Sequence, residues 1–581
     1  MKRLASTLSA LFLAQAAAHA HAAADLILLN GKIFTAEQSQ PHVQAMAIQG
    51  TTILATGSNE QIRALADSGA QVLDLAGKRV MPGLIDTHSH AIFGGLSLSA
   101  ANMQDQVVGL PELEQRLRQW RADGSARLGQ DILQVQGMNS NYWAHAQELG
   151  RIFNHGEWAE TAVIFMGSDH HTAWVNAKML RTAGIDKALV ASLDEAQRGT
   201  IGVLDNGQPS GFLVDAGWDR VSAVLPPIDD ATLLHGAEAA VHYNNSVGIT
   251  GWMDPAANAS PGQAVFDIKP TENTIGVLPG YKALAEKGQL SAHVAALLVA
   301  NPKSQPADLE VLEKVRRRFA GTPNLTLPGI KIFADGVLEF PAQSAAVISP
   351  YSNTLKQGEL LFDPKHFGEL VTAADKRGWL VHIHAVGDRA VRESLNAIEQ
   401  ARAAGDSGIA HSITHLQLVN PKEFARFKSL NVIASMQLLW AIGDEYAIDM
   451  VQPYVSAFAY HYQYPARSLL KAGATIAGAS DWPVSPANPW LAIAQATTRQ
   501  GPKGVLNASE TIPRDVMFYA YTLNAAKTLR LEEQIGSLAP GKQADFIVLD
   551  RDVFSVQEKQ LSETQVLSTY FAGRKVYQAA P

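Results

Sequence analysis

The sequence predicts an α/β fold, in which a (β/α)8 TIM-like barrel carries a small β-sandwich domain and a large insertion after its first strand. Three observations predict this arrangement. Apolar, β-rich runs alternate with helical patterns through the middle of the chain, and there are eight of them, the number that closes such a barrel. Short alternating segments with turn residues occur at both chain ends, which indicates one β-sandwich built from both. Residues 95–235 separate the first run from the second by more than one crossover requires.

The amino terminus, residues 1–24, is typical of a secretory signal peptide. Lys2 and Arg3 precede an apolar run from Leu8 to Ala18, and small residues follow up to Ala24. The apolar run is shorter than the roughly 20 residues that span a bilayer, so it does not predict a membrane anchor. We expect a soluble mature protein that begins near Asp25 and is periplasmic or secreted.

The β-sandwich domain is assigned to residues 25–80 and 531–581. Asn30, Gly31 and Gly50 supply turns between the alternating segments of the first part. The second part has the same pattern of short alternating segments and turn residues, in "IGSLAPGKQADFIVLDRD" and "LSTYFAGRKVYQ". We therefore expect strands from the two chain ends to pair.

The barrel is predicted to begin with residues 81–94 and to resume over residues 236–530. Its eight apolar runs are "VMPGLIDTHSH", "GITGWMDP", "HVAALLVA", "GIKIFADG", "WLVHIHAVG", "HSITH", "NVIASMQ" and "ATIAGASD". The insertion, residues 95–235, has strand-like pieces of its own, "DILQVQGMN" and "TAVIFMGSD". On the first βα loop it is placed to form a roof over an active site.

Composition excludes several classes of function. The chain has 581 residues, a net charge of −8 and no basic stripe, which argues against nucleic acid and anionic membrane partners. It has no cysteine, so disulfides, thiol catalysis and thiolate metal ligands are excluded. No glycine-rich nucleotide loop follows a predicted strand. A metal ion would have to be held by histidine, carboxylate or a modified lysine.

Candidate metal ligands stand at the ends of several predicted strands. His88 and His90 are two residues apart, so strand geometry points both rings to one side, although a lone pair of this kind also occurs as ordinary polar residues leaving a sheet. His384, His415 and Asp481 close or follow later runs. The carboxyl ends of parallel barrel strands meet on one face, so these side chains are expected to converge on a zinc-like cation.

Lys331 is unusual because it lies among apolar residues in the fourth run. A buried ammonium without a partner is costly. Two explanations remain open on the residues alone. Either Lys331 keeps its charge, by pairing with Asp335 or Glu339 or by extending its amine out of the apolar layer, or its neutral amine has added carbon dioxide and become a carbamate able to bridge two cations.

The ordered motifs resemble those of the amidohydrolase superfamily, and within it the YtcJ-like amidohydrolase family 3 that includes N-substituted formamide deformylase. The motifs run through nearly the whole mature chain and are "PGLIDTHSH", "SDHHTAWVN", "DNGQPSG", "IKIFADG", "HAVGDRAV", "HSITHLQ", "GASDWPV", "YTLNAAK" and "GSLAPGKQADFIVLD". This resemblance implies hydrolysis of a C–N bond in an amide, N-formyl group, cyclic amide or carbamate by a metal-bridging hydroxide.

The resemblance also implies the ligand set and the cofactors. His88, His90 and Asp481 would hold one divalent ion, His384 and His415 a second, and carboxylated Lys331 would bridge them; zinc or another first-row metal suits these donors. Asp481 would act as general base and then general acid.

The same resemblance implies roles for residues other than the metal ligands. His171 and Asn176 would contact substrate, with His171 also catalytic. Family members often have Pro-x-His after "SMQ", with the histidine facing the substrate. This chain has Leu438-Leu439-Trp440 there, so Trp440 is expected to present an apolar surface to the substrate instead. His382 lies two residues before His384, so its side chain also points into the barrel. The family pattern favours His384 as the ligand and leaves His382 a role behind the ligands or in the core, although His382 as a competing ligand stays open.

Two rival functions remain open from the sequence. A metal-dependent deaminase of a heterocycle uses the same attack, but deaminases of this superfamily often use one metal without the lysine. A non-catalytic binding or regulatory protein could share the scaffold, although all six metal positions carry competent side chains. A homodimer is also left open.

Overall fold

The structure is a computed structural model that describes residues 23–128, 131–260, 270–301 and 303–580. The predicted signal peptide lies outside these residues except for its last two, and Ala24 begins the first strand, Ala24–Leu29. No helix within the described part of the chain has the length and apolar character needed to cross a bilayer.

Eight parallel strands form the barrel, which confirms the predicted fold. Each strand pairs with the next in chain order, and the first and eighth are joined by the Thr87 NH, which donates to the Gly478 carbonyl at 3.0 Å, and by a parallel bridge between Ser89 and Trp482. The strands are Leu84–Asp86, Ile249–Asp254, His293–Val299, Leu325–Phe333, Leu380–Ala385, His411–His415, Val432–Met436 and Thr475–Gly478.

Helices surround the barrel and bury apolar faces against its strands. The longer ones are amphipathic: Asp388–Ala403, for example, buries Val391, Leu395 and Ile398 at helical spacing. The helices of the barrel and its loops are Ala91–Ser97, Asp230–Ser246, Leu278–Glu286, Leu309–Arg318, Pro364–Lys376, Asp388–Ala403, Phe424–Ser429, Glu445–Ile448, Ala457–His461, Ala466–Lys471, Pro489–Thr498, Arg514–Ala520 and Leu523–Leu529.

Two sheets from both chain ends form the β-domain. One contains, in spatial order, Thr52–Gly57, Ala45–Gln49, Ala24–Leu29 and Ala66–Asp74. The other contains Arg574–Gln578, Val566–Phe571, Phe546–Leu549, Arg79–Pro82, Lys32–Phe34 and His42–Val43. A short helix, Asn59–Arg63, follows the strand Thr52–Gly57, and a two-stranded ribbon, Gln500–Gly501 with Gly504–Val505, lies elsewhere in the chain.

The boundary between the β-domain and the barrel differs from the predicted one at residue 81. Met81 and Pro82 pair antiparallel with Ile547 and Phe546, so they belong to the β-domain sheet and not to the first barrel strand. The chain leaves that sheet at Gly83, where an added Cβ would lie 2.1 Å from the Thr250 hydroxyl oxygen. Only a glycine fits so close to the second barrel strand.

The insertion has a sheet and two cores of its own, one on each face of the sheet. In spatial order its strands are Ile201–Val203, Pro209–Val214, Thr172–Val175, Ala162–Gly167, Ile132–Met138 and Arg127–Leu128. Its helices are Leu110–Asp123, Ala146–Phe153, Ala177–Thr182, Lys187–Ser192, Glu195–Gly199 and Ala216–Ser222.

The insertion is held against a barrel loop and ends earlier than predicted. Asn139 and Asn141 each donate a hydrogen bond to the Glu445 carboxylate at 2.7 Å. The next barrel helix begins at Asp230, before the predicted boundary at 235, because the Asp229 carboxylate accepts from the Thr232 NH at 2.7 Å and caps it.

Candidate metal centre

Three of the predicted ligands meet at the carboxyl ends of the first and eighth strands. The Nε2 atoms of His88 and His90 each lie 3.3 Å from Asp481 Oδ1. The potential ligand atoms of these three residues lie within 4.8 Å of one another. His88 and Asp481 are buried and His90 is half-buried, so the group lies largely out of bulk water.

Two further histidines adjoin this group. The ring centroids of His384 and His415 are 4.4 Å apart, and His415 is 5.0 Å from His88. His415 Nδ1 lies 3.9 Å from Asp481 Oδ2. His384 Nε2 donates to the Gly336 carbonyl at 3.1 Å, which leaves its Nδ1 as the bare nitrogen.

Lys331 is fully buried and lines the same cavity as His88, His384, His415 and Asp481. Its Nζ has no hydrogen-bond partner among the described residues. Burial lowers the pKa of the Lys331 ammonium to about 7, and the charge of Asp481 only partly opposes this. The salt bridge to Asp335 or Glu339 left open by the sequence does not form, since Asp335 accepts from the backbone NH groups of Ala346, Val386 and Gly387.

Burial sets the protonation of the histidines. Desolvation by burial, helped by the charge of Lys331, lowers the pKa of His88 to about 3. Desolvation also holds the pKa values of His384 and His415 well below their usual range. Burial acts to raise the pKa of Asp481, but His88, His90 and His415 outweigh it and hold that pKa well below its usual range. The centre therefore combines neutral imidazoles with a carboxylate.

Two of these residues, His415 and Asp481, have left-handed backbone conformations at the rim. The φ angles are 74° at His415, 54° at Leu416 and 60° at Asp481. Such values cost a non-glycine residue of the order of 1 kcal/mol or more and are concentrated at functional sites. Strand alternation alone would point His415 outward, like His411, which bonds Asp375 on a surrounding helix.

Asp86, which the sequence reasoning missed, links the ends of the first and eighth strands by hydrogen bonds. These are the strand ends that carry His88, His90 and Asp481. It accepts from the backbone NH groups of His88 at 3.0 Å and Ser480 at 3.1 Å, and from the Ser480 hydroxyl at 2.5 Å. Burial raises the pKa of Asp86 to about 7, against these hydrogen bonds. The signal available in the sequence was a carboxylate inside an apolar strand, two residues before His88.

The insertion contributes His171 to the centre. Its ring centroid is 5.5 Å from that of His384, and its Nδ1 lies 2.7 Å from Asp215 Oδ1. Burial acts to lower the pKa of His171, but the Asp215 carboxylate outweighs it and raises that pKa. Asp215 and the cavity-lining His170 were not singled out from the sequence, and both have positive φ, 44° and 55°.

Asn176 does not contact the centre, so its assignment to substrate is wrong. It is fully buried in the insertion, where its Oδ1 accepts from the NH groups of Val163 and Met179. Its Nδ2 donates to three backbone carbonyls, those of Phe153, Trp158 and Thr161. The side chain caps the helix Ala177–Thr182 and has no capacity left for a ligand.

Trp440 reaches the centre through a ligand. Its ring lies parallel to that of His415, with a 4° interplanar angle and a centroid distance of 5.7 Å, and it is not among the residues that line the cavity. Trp440 therefore packs on His415, and its contact with substrate stays a prediction.

A cavity of about 650 Å³ opens above the centre, between the barrel rim and the insertion. Polar groups lie close to the ligands, and the remaining wall is mainly apolar. The apolar lining includes Phe93, Leu96, Met166, Trp218, Leu225, Ile228 and Phe333. Gln134 and Gln136 add neutral amides from one strand of the insertion.

The donor set fits a divalent metal. Asp481 Oδ1, His415 Nδ1 and Lys331 Nζ are buried without hydrogen-bond partners, and leaving such atoms unsatisfied costs about 1–3 kcal/mol each. Imidazole nitrogens and a carboxylate are ligands that zinc and its first-row neighbours accept. His88, His90 and Asp481 form one ligand group as they stand, whereas His384 and His415 need an anionic third donor, which an unmodified Lys331 amine is not.

Comparison with known proteins places the chain in a family. It is 29% identical over 564 residues to the protein LONG AFTER FAR-RED 3 of Arabidopsis thaliana, covering 95% of this chain and 92% of that protein. It is 25% identical over 589 residues to N-substituted formamide deformylase of Arthrobacter pascens, covering 94% of this chain and 97% of that enzyme.

A solved structure shares the fold. The crystal structure of an uncharacterized metal-dependent hydrolase from Pyrococcus horikoshii matches with a TM-score of 0.69 and 24% identity, over 92% of this chain and 99% of that one. A family model described as the amidohydrolase family matches residues 71–577. Since that match spans most of the sequence and agrees with the motif resemblance, the chain belongs to the amidohydrolase family.

Proposed function

We propose that this protein is a metal-dependent hydrolase that cleaves a C–N bond in a small molecule, namely an amide, N-formyl group, cyclic amide or carbamate. The observation that carries the proposal is the meeting of His88, His90 and Asp481 with His384, His415 and Lys331 below one cavity. A rim of barrel strand ends is where catalytic groups of this fold are found.

The ligands divide into two sets. His88, His90 and Asp481 would hold one divalent ion, and His384 and His415 would hold a second, with zinc or another first-row metal as the ion. The buried Lys331 amine would add to carbon dioxide, forming an N–C bond and releasing one proton, and the resulting carbamate would supply anionic oxygen donors to both sets. When bound, the ions activate water and polarise the substrate carbonyl.

Asp481 moves the proton. Its carboxylate lies between the two histidine pairs, where it takes a proton from the attacking water and returns it to the leaving nitrogen. A C–O bond forms, the C–N bond breaks, and the products are a carboxylic acid and an amine. His171, held by Asp215, donates a hydrogen bond to the carbonyl oxygen as negative charge develops on it.

The cavity favours a partly apolar substrate. Phe93, Met166, Trp218 and Phe333 offer surface to an aliphatic or aromatic substituent, and the cavity volume suits a molecule of metabolite size. N-substituted formamide deformylase is one relative of this chain, and an N-substituted amide is the substrate we infer here. We also propose export, on the charge pair and apolar run within residues 1–24.

The test is a substrate screen with metal-reconstituted protein. N-formyl, N-acyl and cyclic amides with apolar substituents are incubated with enzyme loaded with zinc, manganese or cobalt, and amine release is measured. Amine and acid in equal amounts are expected, with turnover lost after chelation. Ammonia from a heterocycle would instead indicate a deaminase, and metal-loaded protein without turnover on any amide would favour a binding protein.

A further inference from the structure

His382, in the fifth barrel strand, lies behind the metal ligand His88. Its Nε2 is 2.7 Å from His88 Nδ1, and its Nδ1 is 2.7 Å from the Ser412 hydroxyl oxygen. All three side chains are buried, with at most 1% exposure. The proposed function uses neither His382 nor Ser412.

Strand register places this chain of contacts inside the barrel. His382 is level with Lys331 on one side and with Ser412 on the other, so all three point into the interior. His88, two residues beyond the end of the first strand, reaches His382 from the opposite side of the barrel. Packed interior layers of a barrel are rigid, so the contacts fix the His88 ring from behind.

The chemistry of a ligand sets the direction of each hydrogen bond. His88 Nε2 faces Asp481 Oδ1 and must be bare to bind a cation, so the His88 proton is on Nδ1 and is donated to His382 Nε2. His382 then carries its own proton on Nδ1 and donates it to Ser412. Only one tautomer of each ring satisfies both contacts.

We propose that His382 is a positioning residue, which fixes the orientation and tautomer of ligand His88 and is itself fixed by Ser412; this inference rests on the proposed metal centre. Both ring nitrogens of His382 are occupied, so His382 is not a ligand, which resolves the alternative that its parity left open.

The neutral acceptor has a chemical consequence. Ligand histidines commonly donate their second N–H to a carboxylate, a carbonyl or water. A carboxylate behind His88 would add a third buried carboxylate next to those of Asp86 and Asp481. A neutral imidazole orients His88 without that charge, so His88 remains a weaker electron donor and the bound ion a stronger Lewis acid.

The test compares metal affinity across substitutions of His382. Zinc affinity is measured on full-length protein by competition with a chelator, with the thermal unfolding of the metal-free form as a check on folding. His382→Leu and His382→Asn remove the acceptor, and each is expected to weaken affinity about 10- to 100-fold. His382→Gln, whose Oε1 can accept from His88 Nδ1, is expected to stay within a few-fold of the unsubstituted protein.

Matched variants separate positioning from general damage. Ser412→Ala should weaken affinity in the same direction by a smaller factor, and His366→Asn, on an exposed helix position, should leave it unchanged. Excess zinc should restore turnover in His382→Asn, since its catalytic groups remain, whereas a merely structural defect would not respond to zinc.

The outcomes are distinguishable. Unchanged zinc affinity in a folded His382→Leu or His382→Asn protein overturns the positioning role and leaves the proposed function standing. If His382→Leu does not fold, the comparison of His382→Asn with His382→Gln decides. Absence of metal binding by the unsubstituted protein overturns both.

Discussion

His171 and Asp215 hold each other by two hydrogen bonds that run in opposite directions. His171 Nδ1 lies 2.7 Å from Asp215 Oδ1, and the Asp215 backbone NH donates to the His171 carbonyl at 2.9 Å. Both residues belong to the insertion, yet the His171 ring lies beside His384 of the barrel. The insertion therefore presents the His171 imidazole, held by Asp215, to the candidate metal centre.

The pairing of His171 with Asp215 predicts that substitution of either residue lowers turnover without loss of bound metal. His171→Phe should lower kcat about 100-fold, the size typical for removing a hydrogen-bond donor to a developing oxyanion. Asp215→Ala should lower kcat by a smaller factor, because the ring remains but is no longer held. Metal per chain, measured by elemental analysis, should not change, and a loss of metal in His171→Phe would mark His171 as a ligand instead.

Asp481→Asn should abolish most of the activity even at saturating metal. The amide cannot take up the proton, so kcat should fall about 100- to 10,000-fold, the range of general acid–base catalysis. Steady-state kinetics at several zinc concentrations separates this effect from weaker metal binding. Asp205→Asn, at an exposed position, is the control and should behave like the unsubstituted protein. Undiminished turnover in Asp481→Asn would remove the assigned proton carrier.

Lys331→Met should separate stability from function. A buried amine without a partner is unfavourable for folding, so an apolar side chain of similar length should keep or raise the stability of the metal-free protein, by up to about 1–4 kcal/mol on the scale of buried charge replacement. Metal per chain should fall from two towards one, because the bridging anion is lost. Thermal unfolding and elemental analysis check both parts, and two bound ions in the variant would rule out the carbamate bridge.

Asn176→Ala should reduce stability and spare catalysis. The substitution leaves three buried carbonyls and two backbone NH groups without their partner, at a cost of about 2 kcal/mol or more. Denaturant unfolding measures this loss, and Asn396→Ala, at an exposed helix position, provides the comparison. The folded Asn176→Ala enzyme should retain its kcat/KM, whereas a selective rise in KM would return Asn176 to the substrate site.

Phe93→Ala should change substrate preference. Phe93 lines the cavity and stacks on His90 at a centroid distance of 5.8 Å. Removing its surface should raise KM for amides with a large apolar substituent by about tenfold, since burying such a side chain is worth about 1.5–3 kcal/mol. N-formyl compounds with small substituents should be affected less, and equal losses for both classes would argue against an apolar subsite there.

Much of the barrel and part of the centre follow from local sequence patterns. His88 and His90 share a face because they are two residues apart in an extended segment, and the same parity directs His382 and His384 inward. Lys331 stands out because a charge in an apolar strand needs a special environment. These features depend on neighbouring residues only, so the sequence alone predicts them.

Other features depend on long-range contacts and local backbone geometry. His415 lies at the centre because its φ angle is positive, whereas strand parity predicts the opposite direction. Asn176 is polar and close in sequence to His171, but its partners are backbone groups that only folding brings near. Asp215 meets His171 through the sheet of the insertion, in which Thr172 pairs with Val214, a register that no local pattern specifies.

The pairing of the two chain ends bears on the order in which the molecule matures. Arg79–Pro82, just before the strand that leads to His88, has Phe546–Leu549 as its neighbour on one side. A ribosome that has translated through Asp481 has already delivered every proposed ligand, but not this flanking strand. Anchoring of the strand that precedes His88 thus depends on a segment that follows every proposed ligand in the chain, so a protein truncated after Asp481 would keep all six ligands and lose this support.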